Sequence, residues 1–248
     1  MKYNKFIEDA KIGSAPGWPL VLYFHHVHPK ISHYTSLNPD DFSYVLDTVL
    51  EYVGSPLDPN CITADFQSWL PKEPTVLITF DDGYKDNIEY ALPVLEKFGV
   101  LGMFFIIGNK IGLSIDEFQN PRNEYLSWSE LEHLDSMGHV IGAHTMTHAN
   151  LEEIEPTNAL FDILYSINFF KKNLPTNPVH FAYPYGKLPD IKPVFPQHTL
   201  AFGTVKASPC PWDEKPYNIR RTYVPTGEKD RWITLARGWR EQWFESQL

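Results

Sequence analysis

The sequence predicts a single α/β domain built on parallel strands. Short apolar runs alternate with helical periodicity along the chain, the pattern of repeated βα units. With 248 residues and 43% hydrophobic content, the chain is long enough for one sizeable core. The side chains that stand out chemically, His25, Asp81, Asp82, His144, His148 and Tyr185, each follow an apolar run. In a barrel of parallel strands the C-terminal strand ends converge on one face, where active sites are built, so this shared placement points the same way.

LVLYF at 20–24 reads as the first strand, entered through Pro16 and Pro19. Asn38 or Asp40 caps a helix over DFSYVLDTVLEYV, with Phe42, Val45, Leu46 and Val49 on one face. Residues 76–80 form the next core strand, 85–98 a helix stopped by Gly99, and 102–107 a further strand. Ser127 or Ser129 caps the helix in SELEHLDSMG, which ends at Gly138, and 139–143 is the strand leading into HTMTH. A long amphipathic helix over 157–173 is ended by Pro175. HFAY at 180–183 is a strand running into PYG, 200–205 and 219–224 are late strands, and the tail from Arg231 is helical and Trp-rich. No internal repeat or low-complexity linker interrupts this order, so one domain over 1–248 is expected.

Composition narrows the partners. A formal net charge of −10 without a basic run argues against nucleic-acid binding. Two cysteines, Cys61 and Cys210, in no CxxC pattern argue against a disulfide framework. Residues 1–19 hold no apolar stretch of signal-peptide length, and the longest apolar run, 100–107, is too short to cross a bilayer. A cytoplasmic protein without an integral membrane segment is the expectation. The 15% aromatic content suits a sugar-binding cleft or a large core. Trp128, Trp212 and Trp69 are candidates for stacking on sugars, against ordinary packing.

The chemistry is concentrated in two motifs. VLITFDDG ends a buried strand in the adjacent carboxylates Asp81 and Asp82, which burial and like charge disfavour unless a cation is present. Helix capping is the bland alternative. HTMTH supplies His144 and His148, placed on one side by a helical turn or a tight loop. One carboxylate and two imidazoles leave positions open for water and substrate, the layout of a catalytic metal site, and imidazole donors suit zinc or a similar ion. The second carboxylate is left as a base.

TFDDG at 79–83, HTMTH at 144–148 and the flanking DGYKDNIEYALPVLEKFGV and LSWSELEHLDSMGHVIGAHTMTHANL resemble the polysaccharide deacetylase family, the NodB-homology or carbohydrate esterase family 4 enzymes. The similarity runs over about 20–224. It implies a distorted (β/α) barrel of the (β/α)7 type and removal of an N-acetyl group from an amino sugar. It makes Asp81 the general base and Asp82, His144 and His148 ligands of a divalent transition metal, Zn2+ first, with Co2+ or Ni2+ as alternatives. The family's RxPY motif stands here as AYPYG, with Ala182 in place of the arginine that orients the base; Arg220 or Arg221 is the substitute, with Arg221 preferred. The Tyr185 backbone N–H is the expected oxyanion donor.

The leaving nitrogen needs a proton. Many family members supply a C-terminal histidine, but no histidine follows His198 here. LYFHHVH instead resembles the YHxI/V segment of the circularly permuted branch, which includes poly-N-acetylglucosamine deacetylases, and the alignment makes His25 the general acid. His26 and His28 pack or face solvent, and His33, His133, His139, His180 and His198 are read as structural. A nucleotide-linked or lipid-linked intermediate of surface-polysaccharide synthesis, such as O-antigen, is the expected substrate. A glycan-binding protein without catalysis, motivated by Ala182, and an amidohydrolase acting on a non-sugar amide are the alternatives.

Overall fold

The structure is a computed structural model that describes residues 4–31, 35–114 and 124–245. His33 lies outside the described residues. The elements in order are α1 (Asn4–Lys11), β1 (Leu20–Phe24), α2 (Pro39–Tyr52), β2 (Ser55–Pro56), β3 (Thr75–Asp82), α3 (Leu92–Phe98), β4 (Gly102–Ile106), α4 (Trp128–Ser136), β5 (Val140–Ala143), α5 (Pro156–Asn173), β6 (Phe181–Ala182), β7 (Ala201–Phe202) and α6 (Lys229–Phe244). All described strand pairings are parallel, in the order β1-β3-β4-β5-β6-β7, with β2 beside β3.

The sheet curls into a distorted (β/α) barrel. Its closing stave is the stretch 219–222, held by single parallel bridges: Phe202 to Ile219 on one side and Leu22 to Thr222 on the other. Gly203 N–H donates to Ile219 O at 2.8 Å, and Thr222 N–H to Val21 O at 2.8 Å. The expected strand over 219–224 is therefore a bridge-length segment, and those over 180–183 and 200–205 shrink to two residues each.

Local sequence explains the helix boundaries. The Asn38 side chain caps α2 by accepting from Asp41 N–H, with Pro39 in the first turn. Ser127 and Glu130 form a capping box on α4. The helix expected over 85–98 is there, but its first part, Asn87–Ala91, is a π-type turn; α3 follows until Gly99 closes it with φ 64°. Asp86 and Asn87 hold the end of β1 instead of capping. Asp86 Oδ1 accepts from Val27 N–H, and Asn87 Nδ2 donates to His25 O at 2.8 Å.

Alternation along the strands makes two apolar layers. Leu22, Ile78, Phe80, Phe104, Ile141 and Phe181 pack outward against the helices. Val21, Leu77, Met103, Phe105, Ala182 and Ile219 fill the barrel. Trp212 is buried there against Trp18, just before β1, and Trp69 packs on Trp212, so both plug the end where strands begin. Trp128 packs on Phe169 in the helical layer. Trp69 and Trp212 are therefore not sugar platforms at the strand C-termini. Among the described residues, no helix is long and apolar enough to cross a membrane.

His139 and His180 are built in as neutral rings. His139 Nδ1 accepts from Gly102 N–H at 2.9 Å, and His180 Nδ1 accepts from Leu200 N–H at 3.1 Å while its Nε2 meets Ile62 O at 3.1 Å. Burial pushes both pKa values down to about 4 from 6.5. Between those values the unfolded chain binds more protons than the folded one, so stability is lost as pH falls through 6.5 towards 4. Each ring is expected to cost about 2 kcal/mol at pH 5 relative to pH 7. Urea unfolding at both pH values checks this: His180→Gln should shrink the pH difference by about that amount, and an unchanged difference would refute the account.

Candidate metal and active site

Strand parity gathers the predicted residues at one mouth. Counting on from the inward-facing Val21, Leu77 and Val140, His25, Asp81 and His144 take inward positions at the ends of β1, β3 and β5. Arg221 likewise shares the inward parity of Ile219. By the same count Asp82 would turn outward, but its backbone enters the left-handed region, with φ 73°. That turn returns its carboxylate to the cavity beside Asp81.

HTMTH is a loop and not a helical turn, with Thr145 and His148 both left-handed (φ 62° and 59°). Asp82 Oδ1 lies 3.4 Å from His144 Nε2 and 3.1 Å from His148 Nε2. Candidate ligand atoms of Asp82, His144 and His148 all fall within 4.8 Å of one another. His144 Nδ1 sits 2.8 Å from Ala182 O. That carbonyl requires Nδ1 to carry the hydrogen, so in the neutral ring the Nε2 lone pair faces Asp82.

The donor set fits a divalent transition ion. Asp82 Oδ1 is buried and makes no hydrogen bond, although two imidazole nitrogens surround it. Burial pushes the Asp82 carboxyl up, but His144, His148 and His25 together hold it well below the usual carboxylate range. Burial alone would lower the His144 pKa, yet the aspartates raise it overall. An anionic oxygen between two such rings, with His148 22% exposed towards the mouth, is the pattern a cation completes while an open side remains.

Asp81 has a different partner. Arg221 is fully buried and meets it with a two-pronged ion pair, Nη1 to Oδ1 at 2.6 Å and Nη2 to Oδ2 at 2.8 Å. Its Nε donates to Gly203 O at 2.7 Å, and the guanidinium lies over the Tyr23 and Phe105 rings. Burial pushes the Asp81 pKa up, and the charges of Arg221 and His144 bring it down to a net depression. Arg220 points elsewhere, donating to the carbonyls of Asp9, Ile12, Val205 and Ala207.

His25 Nε2 lies 4.0 Å from Asp82 Oδ2 on the open side. Burial lowers its pKa, opposed by Asp82 and Asp81. His26 has outward parity and packs away from the cavity, its Nδ1 2.6 Å from Asp86 Oδ2. The Tyr185 ring is exposed and meets His148 edge-on at 4.7 Å, and its backbone is left-handed with φ 58°. Sequence reasoning missed Tyr84, directly after DDG. Burial and the nearby Asp82 carboxylate push its hydroxyl far above the usual phenol range, so it stays neutral.

Known proteins are similar to this chain in sequence and in fold. YxkH of Bacillus subtilis, whose name assigns it to the polysaccharide deacetylases, is 32% identical over 117 residues, 47% of this chain and 39% of its own length. The poly-beta-1,6-N-acetyl-D-glucosamine N-deacetylase of Staphylococcus epidermidis is 28% identical over 66% of this chain and 58% of its own. The chain thus spans between 39% and 58% of the lengths of these two relatives. Among solved structures, IcaB from Ammonifex degensii superposes with a TM-score of 0.70 at 23% identity, covering 92% of this chain and 100% of that one. The Streptococcus pyogenes deacetylase PplD, in complex with acetate, gives 0.70 at 18% identity, covering 90% and 97%. These structures share the fold. The profile of the polysaccharide deacetylase family matches residues 70–194, half of the sequence and the span that holds both aspartates, HTMTH and AYPYG, and on that match the chain belongs to the polysaccharide deacetylase family.

Proposed function

We propose that the protein is a metal-dependent hydrolase that removes N-acetyl groups from an amino sugar in a polysaccharide or its biosynthetic precursor. One observation carries this reading: of two adjacent aspartates, one sits in an Asp-His-His donor set while the other is held anionic by a buried guanidinium. Asp82, His144 and His148 are the ligands. A divalent transition ion bound there, Zn2+ foremost, supplies a water with a pKa of about 7 and a Lewis acid for the acetyl carbonyl.

The protein groups do the rest. Asp81 accepts the proton of the attacking water, and Arg221 fixes its orientation and keeps it ionised. The Tyr185 N–H donates to the oxyanion that develops on the carbonyl oxygen. His25 delivers a proton to the amine as acetate leaves; burial lowers its pKa, which makes the imidazolium a stronger acid but leaves a smaller fraction of it protonated at neutral pH. Ala182 favours a non-catalytic reading, and the Arg221 guanidinium on Asp81 argues against it. The name of the Staphylococcus relative supports a β-1,6-linked N-acetylglucosamine glycan as the first substrate to test. Lipid-linked or nucleotide-linked precursors of the O-antigen type come next.

The test is acetate release. With Zn2+, Co2+ or Ni2+ added, the protein is expected to deacetylate β-1,6-linked N-acetylglucosamine oligomers and to stop on chelation. His25→Ala should lower the rate by about 10²-fold. Glycan binding with no acetate release under any metal would sink the proposal, as would hydrolysis confined to non-sugar amides.

A further inference from the structure

We propose that Asp162, on the barrel-facing side of α5, is a positioning residue that sets the spacing of the two histidine ligands through the loop between them. The inference rests on reading His144 and His148 as ligands. Asp162 is 7% exposed, and both its oxygens are used on that loop. Oδ1 accepts from Met146 N–H at 2.7 Å, and Oδ2 accepts from the Thr147 hydroxyl at 2.5 Å. Met146 and Thr147 are two of the three residues between the histidines.

The loop needs such an anchor. Thr145 and His148 are both left-handed, a region that branched and bulky residues occupy only when their surroundings over-determine it. One side is held by main chain: Gly108 N–H donates to Thr145 O and Asn109 N–H to Met146 O, each at 3.0 Å. The tip of the Met146 side chain occupies the space beside Gly108, where a Cβ would lie 2.3 Å from Met146 Sδ. Inside the loop, Thr145 Oγ1 accepts from His148 N–H at 2.8 Å. Asp162 grips the opposite side with charge-assisted bonds, which are the stronger kind. Without it the Thr145–Met146 peptide is held only on its carbonyl side, by Gly108, and Thr147 loses its anchor, so the His148 ring is less firmly held at its distance from Asp82. Groups behind the ligands commonly change metal affinity by about 10–100-fold.

Co2+ titration, followed by its visible absorption and by competition with a chelator, tests this without substrate. Asp162→Ala is expected to raise the Co2+ Kd by about 10–100-fold. Asp162→Asn keeps the shape and one acceptor, Thr147→Val removes one donor, and both should give smaller rises with thermal midpoints near wild type. If Asp162→Ala does not fold, these two variants decide. Wild-type Kd in both would overturn the inference, as would a lowered midpoint with unchanged Kd in Asp162→Ala. A wild-type protein that binds no Co2+ would instead overturn the ligand assignment itself.

Discussion

Asp81→Asn is expected to keep its metal and to lose acetate release by about 10²–10⁴-fold, the range for removing a general base. The amide is nearly the size of the carboxylate but cannot take a proton from water. Because Asp81 is not among the three clustered ligand groups, metal content per chain should stay at the wild-type level. The substitution also leaves Arg221, fully buried, facing an amide NH2 on one prong, so some loss of stability should accompany the loss of rate. Metal analysis, thermal unfolding and turnover at saturating substrate separate the three effects. Unchanged turnover would remove Asp81 from the mechanism; lost metal would mean that it helps to hold the ion.

Much of this site was legible because strand ends obey parity. Once 20–24 and 76–80 are read as strands, His25 and Asp81 fall on one face, and HTMTH after 139–143 brings His144 to the same mouth. The parts that were not legible depend on long-range contacts. A turn at Gly83 can bring Asp82 to the cavity beside Asp81, and the left-handed backbone at Asp82 and Gly83 does so; the left-handed Thr145 and His148 are what make HTMTH a loop, which its spacing alone does not separate from a helical turn. The closing segment bonds to β7 and β1 through single bridges, so only the closed barrel shows that Arg221, and not Arg220, shares the inward parity of Ile219. The helix after DDG opens with a π-type turn over Asn87–Ala91, and the Asp86 and Asn87 side chains are engaged with residues 25–27, some sixty positions away. Asp162 is one polar position within the amphipathic helix over 157–173, and its bonds to Met146 and Thr147 follow only from the placement of α5 behind HTMTH.

Arg221→Ala should be more damaging to the fold than Asp81→Asn and as damaging to the rate. The wild-type guanidinium closes five contacts: both Asp81 oxygens, Gly203 O, Thr79 Oγ1 and the aromatic rings of Tyr23 and Phe105 counted as one sandwich. Truncation leaves a buried carboxylate without its countercharge, for which about 3–5 kcal/mol is typical. It also changes the base. Burial is the largest influence on the Asp81 pKa and acts upward; Arg221 is the largest influence acting downward. Removing the guanidinium therefore raises the pKa, and the acid limb of the pH–rate profile should move to higher pH. Arg221→Lys should recover only part of either property, because a single ammonium cannot meet both oxygens and the Gly203 carbonyl in one plane. Urea unfolding and a pH–rate series on the two variants check both effects. If Arg221→Ala unfolds before assay, the Lys variant carries the test, since an acid limb at the wild-type position despite lost rate would show that Arg221 supports the barrel wall without tuning Asp81.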